Sequence, residues 1–172
     1  DGPLGAHLKQ KIEDRMNYRI LGYFENGFRH ISNRLRPVRT PDDLAGMRIR
    51  VLPSDVQACT FELLGAKPVK MDLTEAIAGV KDGSLDAQEN PLANTVTYGV
   101  HTFHPYHTLT GHFYISRPIF AHQGSVDGWP DDIRAAAYQA TAEAVQFQRA
   151  LSEQEALDSR RVIEEAGCQI ED

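Results

Sequence analysis

Met47-Arg48-Ile49-Arg50-Val51-Leu52, closed by Pro53, alternates apolar and basic side chains with the period of an extended strand. Met47, Ile49 and Val51 therefore share one face, Arg48 and Arg50 share the other, and Arg50 stands near the strand's carboxyl end. Just upstream, Thr40-Pro41-Asp42-Asp43 supplies a cap, a proline at the first helical position and acids in the first turn. Gly46 stops what is then a one-turn helix. Downstream, Ser54-Asp55 can cap a helix whose apolar positions Val56, Phe61 and Leu64 lead to Gly65. Residues 67–71 read as a second strand, Thr74 caps a helix running to about Lys81, and Asp82-Gly83 ends it. Residues 85–88 form a third strand that closes on Glu89-Asn90-Pro91. This alternation predicts an α/β sheet with parallel crossovers, whose ligands sit beyond the carboxyl ends of the strands. Arg50 and Asn90 both fall at such ends.

Working outward, residues 5–18 place Leu8, Ile12 and Met16 at every fourth position, which predicts an amphipathic helix with one apolar stripe. Residues 18–24 read as a strand followed by the turn signal Glu25-Asn26-Gly27, and 28–33 as a new element with Arg29 near its head. Residues 106–115 predict a longer strand and 119–121 another. Trp129-Pro130-Asp131-Asp132 then opens a stretch with neither glycine nor proline until Gly167. There Ile133, Ala137, Ala140, Ala144, Phe147 and Leu151 keep a helical apolar stripe, whose register is lost at 152–155, so a bend or break is expected. The stripe would pair with another chain or pack against a sheet, and its small alanines favour the sheet. Cys168-Gln169-Ile170 begins a last strand.

The chain has 172 residues, 41% of them hydrophobic, enough for one large domain or two small lobes. Its 18 Lys and Arg against 24 Asp and Glu leave a net charge of -6, which opposes the basic footprint of a nucleic-acid or anionic-membrane binder. No long uncharged apolar run occurs, so no membrane-spanning helix is expected. Cys59 and Cys168 lack any C-x-x-C partner, which excludes a sequence-local zinc or thioredoxin motif; two separate buried thiols are the plain expectation and a disulfide the alternative. No Gly-x-Ser-x-Gly, dinucleotide or P-loop motif is present. His101, His104 and His107, with His112 nearby, suggest a transition-metal site, and Glu89 would be the general base of a zinc hydrolase built there. Against this, Pro105 interrupts the run and neither cysteine nor carboxylate interleaves with it.

Arg29, Arg50 and Asn90 each follow an apolar strand-like run and can project into a cleft. A guanidinium presents a planar fork of donors that matches a carboxylate, and an amide adds directional polarity without charge. The plainer reading leaves the two arginines solvated or paired with Asp and Glu.

Longer motifs carry a family resemblance. Phe24-Glu25-Asn26-Gly27-Phe28-Arg29-His30, Arg36-Pro37-Val38, the run from Thr40 through Val51, Leu64-Gly65-Ala66-Lys67-Pro68, Gly83-Ser84-Leu85-Asp86-Ala87-Gln88-Glu89-Asn90-Pro91-Leu92 and Leu109-Thr110-Gly111-His112 are ordered and spaced as in one family. In these motifs the chain resembles the solute-binding subunits of tripartite ATP-independent periplasmic (TRAP) transporters, the dicarboxylate-binding type. The resemblance covers nearly all of the chain. It implies a periplasmic-binding-protein-like two-lobe α/β fold that closes over a small organic acid and hands it to the membrane permease, with no cofactor, no metal and no chemistry performed. It assigns the bidentate carboxylate contact to Arg50 and supporting roles to Arg29 and Asn90, with Glu89 of the same motif grouped among the ligand-binding residues. Leu73 stands where the family often has an aromatic ring against the ligand, which opens the ligand's identity. Asp72 beside it could accept a hydroxyl or ammonium group or cap the helix at Thr74.

The resemblance further implies that the chain is part of a longer one, with a periplasmic location and an interior-like start at Asp1-Gly2-Pro3-Leu4-Gly5. On that basis 1–27 is a remnant of the first lobe and 28–115 the second lobe with the ligand-binding residues. Residues 116–155 are then a first-lobe strand and the long spanning helix, and 156–172 the helix end and return strand. Self-association or a further segment of the longer chain are the two alternatives for covering the apolar stripes of such a portion.

Overall fold

In the computed structural model, which describes residues 2–172, the strand quoted above is β2 (Arg48–Val51), and parallel neighbours flank it on both sides. Arg50 pairs with Val69 of β3 (Lys67–Lys70) and with Gln88 of β4 (Ala87–Asn90). Two helices make the crossovers. The first, α2 (Asp55–Leu63), is capped by Ser54, whose side chain accepts from Gln57 N. The second, α3 (Leu73–Asp82), is capped by Asp72, which accepts from Glu75 N, and ends on left-handed Gly83. The cap is Asp72 and not the expected Thr74, because a carboxylate one residue before the helix reaches the free amide of its first turn.

β4 also pairs antiparallel with β1 (Tyr18–Asn33), Ser32 lying opposite Gln88 and His30 opposite Asn90. The sheet order is β3-β2-β4-β1, followed by β5 (Tyr106–His122) and β6 (Gln169–Glu171), which pair parallel. Short α4 (Leu92–Thr97) follows β4, and a 3-10 turn occupies Pro41–Leu44 as expected, with left-handed Gly46 after it.

Two expected strand breaks are absent. Glu25-Asn26-Gly27 does not reverse the chain, and β1 runs through it. Gly27 takes φ 92° inside the strand, which lets the backbone kink while staying extended on either side. Likewise 106–115 and 119–121 are one strand, since the φ of Pro118 is compatible with extended backbone and only a ladder donor is lost.

The described chain separates into two compact units: residues up to Gly27 with Ile115–Gln154, and Phe28–Tyr114 with Glu155–Asp172. In the first unit α1 (Gly2–Arg15), α5 (Gln123–Asp127) and the first part of α6 (Asp131–Glu165) accompany the strand segments. Gly22 has no side chain because Thr141 and Val145 of α6 would lie 3.0 and 3.1 Å from its Cβ. Gln148 on the same helix donates to Glu25 O and accepts from Glu25 N, stitching helix to strand, and Arg19 clasps Asp127 through two hydrogen bonds of 3.0 and 2.8 Å. α6 is unbroken over 35 residues, so the expected bend near 152–155 is not there. The loss of apolar register coincides instead with the passage of α6 from the first unit to the second at 154/155, where its buried residues become Ser159 and Ile163.

In the second unit, alternation along the strands sorts the core. Ile31, Ile49, Val51 and Ala87 meet Phe61 of α2 on one face of the sheet. On the other, Ala76 and Val80 of α3 pack with Leu85 and Val100, with Val69, Met71 and Tyr98 at the margin. Val56, expected to be apolar core, is 69% exposed. Cys59, expected to be buried, is exposed as well; both thiols are free.

Asp86, just before β4, ties this unit together. It accepts from Arg48 N (3.0 Å), Arg48 Nε and Nη2 (2.9 Å each) and Arg34 Nη2 (2.7 Å), and the Arg48 guanidinium above all holds its carboxyl well below the usual carboxylate range. An unfolded aspartate titrates near pH ~3.9, so this stabilisation is complete above that pH and is lost as pH falls through the lower folded value. Asp86→Asn is expected to lower unfolding stability by about 2 kcal/mol at neutral pH. Urea titrations from about pH 6 down to 3 should show the gap between variant and unmutated protein shrinking with acidity.

Candidate functional site

Arg50 is the third residue of β2, and the strand period aims it at the face covered by α3. It is 2% exposed. Its Nε and Nη2 donate to the single carbonyl of Met71, at 3.1 and 3.0 Å, so the Nε edge of the fork is spent on backbone. No carboxylate among the described residues lies within ion-pair distance of it. Burial pulls the guanidinium below its ordinary value and Arg29 adds to this, while Glu89 and Asp72 act the other way. An arginine keeps its proton under such pressure, so Arg50 is a buried cation whose terminal edge has no counter-charge.

A small cleft adjoins Arg50. Arg50, Gln88 and Asn90 line its polar side, and Leu73, Ala76, Ile77 and Val80 of α3, with Tyr98 and Val100, its largely apolar side. Asn90 is two residues beyond Gln88 on the same face of β4, and Gln88 is the register neighbour of Arg50. Asn90 Nδ2 donates to Gln88 Oε1 at 2.6 Å. Gln88 Nε2 in turn donates to Ser32 Oγ (2.9 Å) and Thr95 Oγ1 (3.1 Å).

The cleft thus brings together three of the five residues singled out from sequence: Arg50, Asn90 and Leu73. Arg29 and Glu89 are elsewhere, for a geometric reason. Glu89 pairs with Ile31, and Arg29 is two residues from Ile31, so both project to the α2 face, opposite Arg50. There Arg29 Nε and Nη2 grip both oxygens of the Glu89 carboxylate, Nη2 also donates to Glu89 O, and all of it is buried. His112 Nε2 stands 3.3 Å from the same carboxylate, its ring edge-on to Phe61 and Phe113.

The histidine run does not converge. His104 Nδ1 bonds Ser32 Oγ at 3.0 Å, His107 Nε2 donates to His104 O at 2.9 Å, and His101 Nδ1 meets Thr95 O at 3.5 Å. Among the described residues no three metal-ligating side chains cluster, and Glu89 is engaged by Arg29. The metal and zinc-hydrolase alternative is therefore set aside. Asp72 serves as a helix cap, the second of its two expected roles.

Sequence reasoning missed Gln88, Ile77 and Tyr98. Gln88 was detectable as the same-face neighbour of Asn90 at a spacing of two. Ile77 needed the rotation of α3 about its true cap, and Tyr98 ends α4, a helix with no side-chain cap to announce it.

The sequence profile described as bacterial extracellular solute-binding protein, family 7, matches residues 1–172. The chain belongs to this family. Among curated relatives of this family 7 chain, the 2,3-diketo-L-gulonate-binding periplasmic protein of Escherichia coli is 31% identical over 173 residues, which cover 99% of the chain and 52% of the relative. Among solved structures, a TRAP periplasmic solute-binding protein from Chromohalobacter salexigens with bound D-glucuronate superposes with a TM-score of 0.95 at 27% identity, covering 99% of this chain and 56% of that one. The sugar acid binding protein from Advenella mimigardefordensis in complex with galactonate gives 0.92 at 32% identity, covering 99% and 55%. The chain spans about half the length of the relatives it matches. Among the described residues no helix is long and apolar enough to cross a membrane.

Three histidines of this unit are held neutral. Burial, seconded by His112, pushes His30 down to about 4; burial, with His107 and Arg34, pushes His104 to about 3; burial pushes His107 to about 4. In the unfolded chain each would titrate near ~6.5, so their contribution to stability is whole above that pH and drains away as pH falls towards the folded values. NMR titration of the folded protein should find the His30, His104 and His107 rings still neutral at about pH 5, where an ordinary histidine is mostly charged. A midpoint near 6.5 for any of them would contradict its burial.

Proposed function

We propose that this family 7 chain is the carboxylate-holding portion of a periplasmic receptor that captures a small organic acid and delivers it to a TRAP membrane permease. The observation that carries this reading is Arg50: a buried guanidinium with no counter-anion among the described residues, lining a small cleft. A carboxylate is the planar, bidentate partner that such a guanidinium accepts, and pairing it offsets the burial of the cation. Asn90 would fix the orientation of the bound acid, and Leu73 and Ile77 would cover its carbon skeleton. Arg29 would contribute by neutralising Glu89, leaving the field of Arg50 uncancelled, and not by touching the ligand.

The names of the relatives, which bind a diketo-gulonate, glucuronate or galactonate, support a carboxylate ligand. Residues 28–115 with 156–172 would then be the lobe that holds the carboxylate, and 1–27 with 116–155 belong to the other lobe and the long helix. Such a receptor makes and breaks no bond.

Arg50→Ala in the intact protein should weaken organic-acid binding by at least about a hundredfold, since it removes both charge and fork. Arg50→Lys, which keeps the charge alone, should weaken it by at least about tenfold. Calorimetry with galactonate, glucuronate and succinate tests this; near-normal affinity in Arg50→Ala would overturn the assignment.

A further inference from the structure

The face of β2 and β4 that carries the cleft repeats one polar pairing with a single change. Arg48 lies beside Asp86, whose N–H donates to Arg48 O, and Arg50 lies beside Gln88, its register neighbour. Two successive arginines thus meet first a carboxylate and then an uncharged amide. Of the two acids in residues 86–90, Glu89 projects to the opposite side of the sheet, so Asp86 is the carboxylate that this segment brings to the cleft face.

Asp86 is within reach of both arginines. Two residues of rise and one strand spacing put the Cα atoms of Asp86 and Arg50 about 8 Å apart, a gap that an arginine side chain spans. Arg50 is also the cation in greater need: it is 2% exposed, whereas the side chains of Arg48 and Arg34 are 43% and 37% exposed. Attraction to a carboxylate strengthens as water is excluded, so charge alone would draw Asp86 to Arg50. Geometry decides otherwise. Asp86 Oδ1 accepts from Arg48 Nη2 and Arg34 Nη2, and Oδ2 accepts from Arg48 N and Arg48 Nε. A carboxylate offers about four lone-pair sites, two on each oxygen, and here all are taken. The two clamping guanidinia are themselves fixed, each donating to Gly83 O, at 2.9 Å from Arg48 and 3.2 Å from Arg34.

Resting on the carboxylate-receptor reading, we propose that Arg48 is a positioning residue for Arg50: with Arg34 it saturates Asp86 and so keeps an internal carboxylate off the guanidinium that binds the ligand acid. Loss of the Arg48 guanidinium frees one lone-pair site on each oxygen of Asp86. Arg50 then turns from Met71 O to fill them, and a ligand has to displace a buried ion pair before it can bind.

The test is calorimetry on the intact protein with galactonate, glucuronate and succinate. Arg48→Met keeps the apolar stem and should weaken the acids that bind by at least about tenfold. The deciding variant adds Asp86→Asn to Arg48→Met: with the carboxylate gone Arg50 is free again, and affinity should return to within about threefold of the unmutated protein. Damage to the fold alone would leave the double variant no better than the single one, and that result would overturn the proposal. Salt separates a second cause. The long-range pull of a partly exposed charge is screened and a buried ion pair is not, so the loss in Arg48→Met should persist at about 0.5 M sodium chloride; its disappearance there would also overturn the proposal. Should the double variant fail to fold, Arg34→Met, which frees one site on Asp86 Oδ1, should weaken the acids in the same direction by a smaller factor, and unchanged binding would count against the proposal. Normal affinity in Arg48→Met overturns it while leaving Arg50 as the carboxylate anchor. Binding of none of the three acids by the unmutated protein would sink the receptor reading and this inference together.

Discussion

The two-residue period of an extended strand, imposed on β2 and β4 lying side by side, separates two arginines that look equivalent in the sequence. Arg50 is sent to the face where α3 supplies apolar side chains and one backbone carbonyl. Arg29 is sent through the antiparallel β1–β4 pairing to the opposite face, where Glu89 meets it with both carboxylate oxygens. Removing a guanidinium from water costs several kcal/mol, and the two sites meet that cost differently. At Arg29 the counter-charge is built in; Arg50 has no carboxylate within ion-pair distance among the described residues. Buried charge without a built-in partner is poor for stability and well suited to binding, and the difference arises from strand register.

The surroundings hold Arg50 in place without supplying it a carboxylate. Met71 O receives Nε and Nη2, which restricts rotation of the guanidinium about its own axis. Asp86 gathers Arg48, the same-face neighbour on β2, and Arg34, so neither acid nor base from that cluster competes at the cleft. On β4, Gln88 and Asn90 form the adjoining polar wall, and their hydrogen bonds run away from the cleft into the interior, ending at His104.

Reading the chain alone was most reliable where a local rule has a local cause. The capped one-turn helix at Pro41–Leu44, the alternating strand at β2, the Ser54 cap and the helix stop at Gly83 all depend on residues within a few positions of one another. It failed where a distant partner overrode the local signal. Glu25-Asn26-Gly27 has turn chemistry, yet neighbouring structure holds it extended: Gln148 takes both backbone groups of Glu25, and Gly27 absorbs the kink. Residues 152–155 lose their apolar register without breaking the helix, because the segment passes from one compact unit into the other, where burial is demanded of different positions. The evenly spaced histidines looked like ligands in one dimension and in three dimensions bind backbone carbonyls, a serine and a carboxylate.

From its sequence by itself, this chain was determined to be an α/β protein with parallel crossovers, acidic, carrying two arginines and an amide at strand ends; periodicity and capping suffice because their energetics act over a few residues. Which arginine lacks a partner, which residues brace the amide, and which face of the sheet the cleft occupies were decided only by the tertiary structure. Those outcomes depend on how β1, β2 and β4 align, and a slip of one residue in that alignment would exchange the two faces and every charge on them.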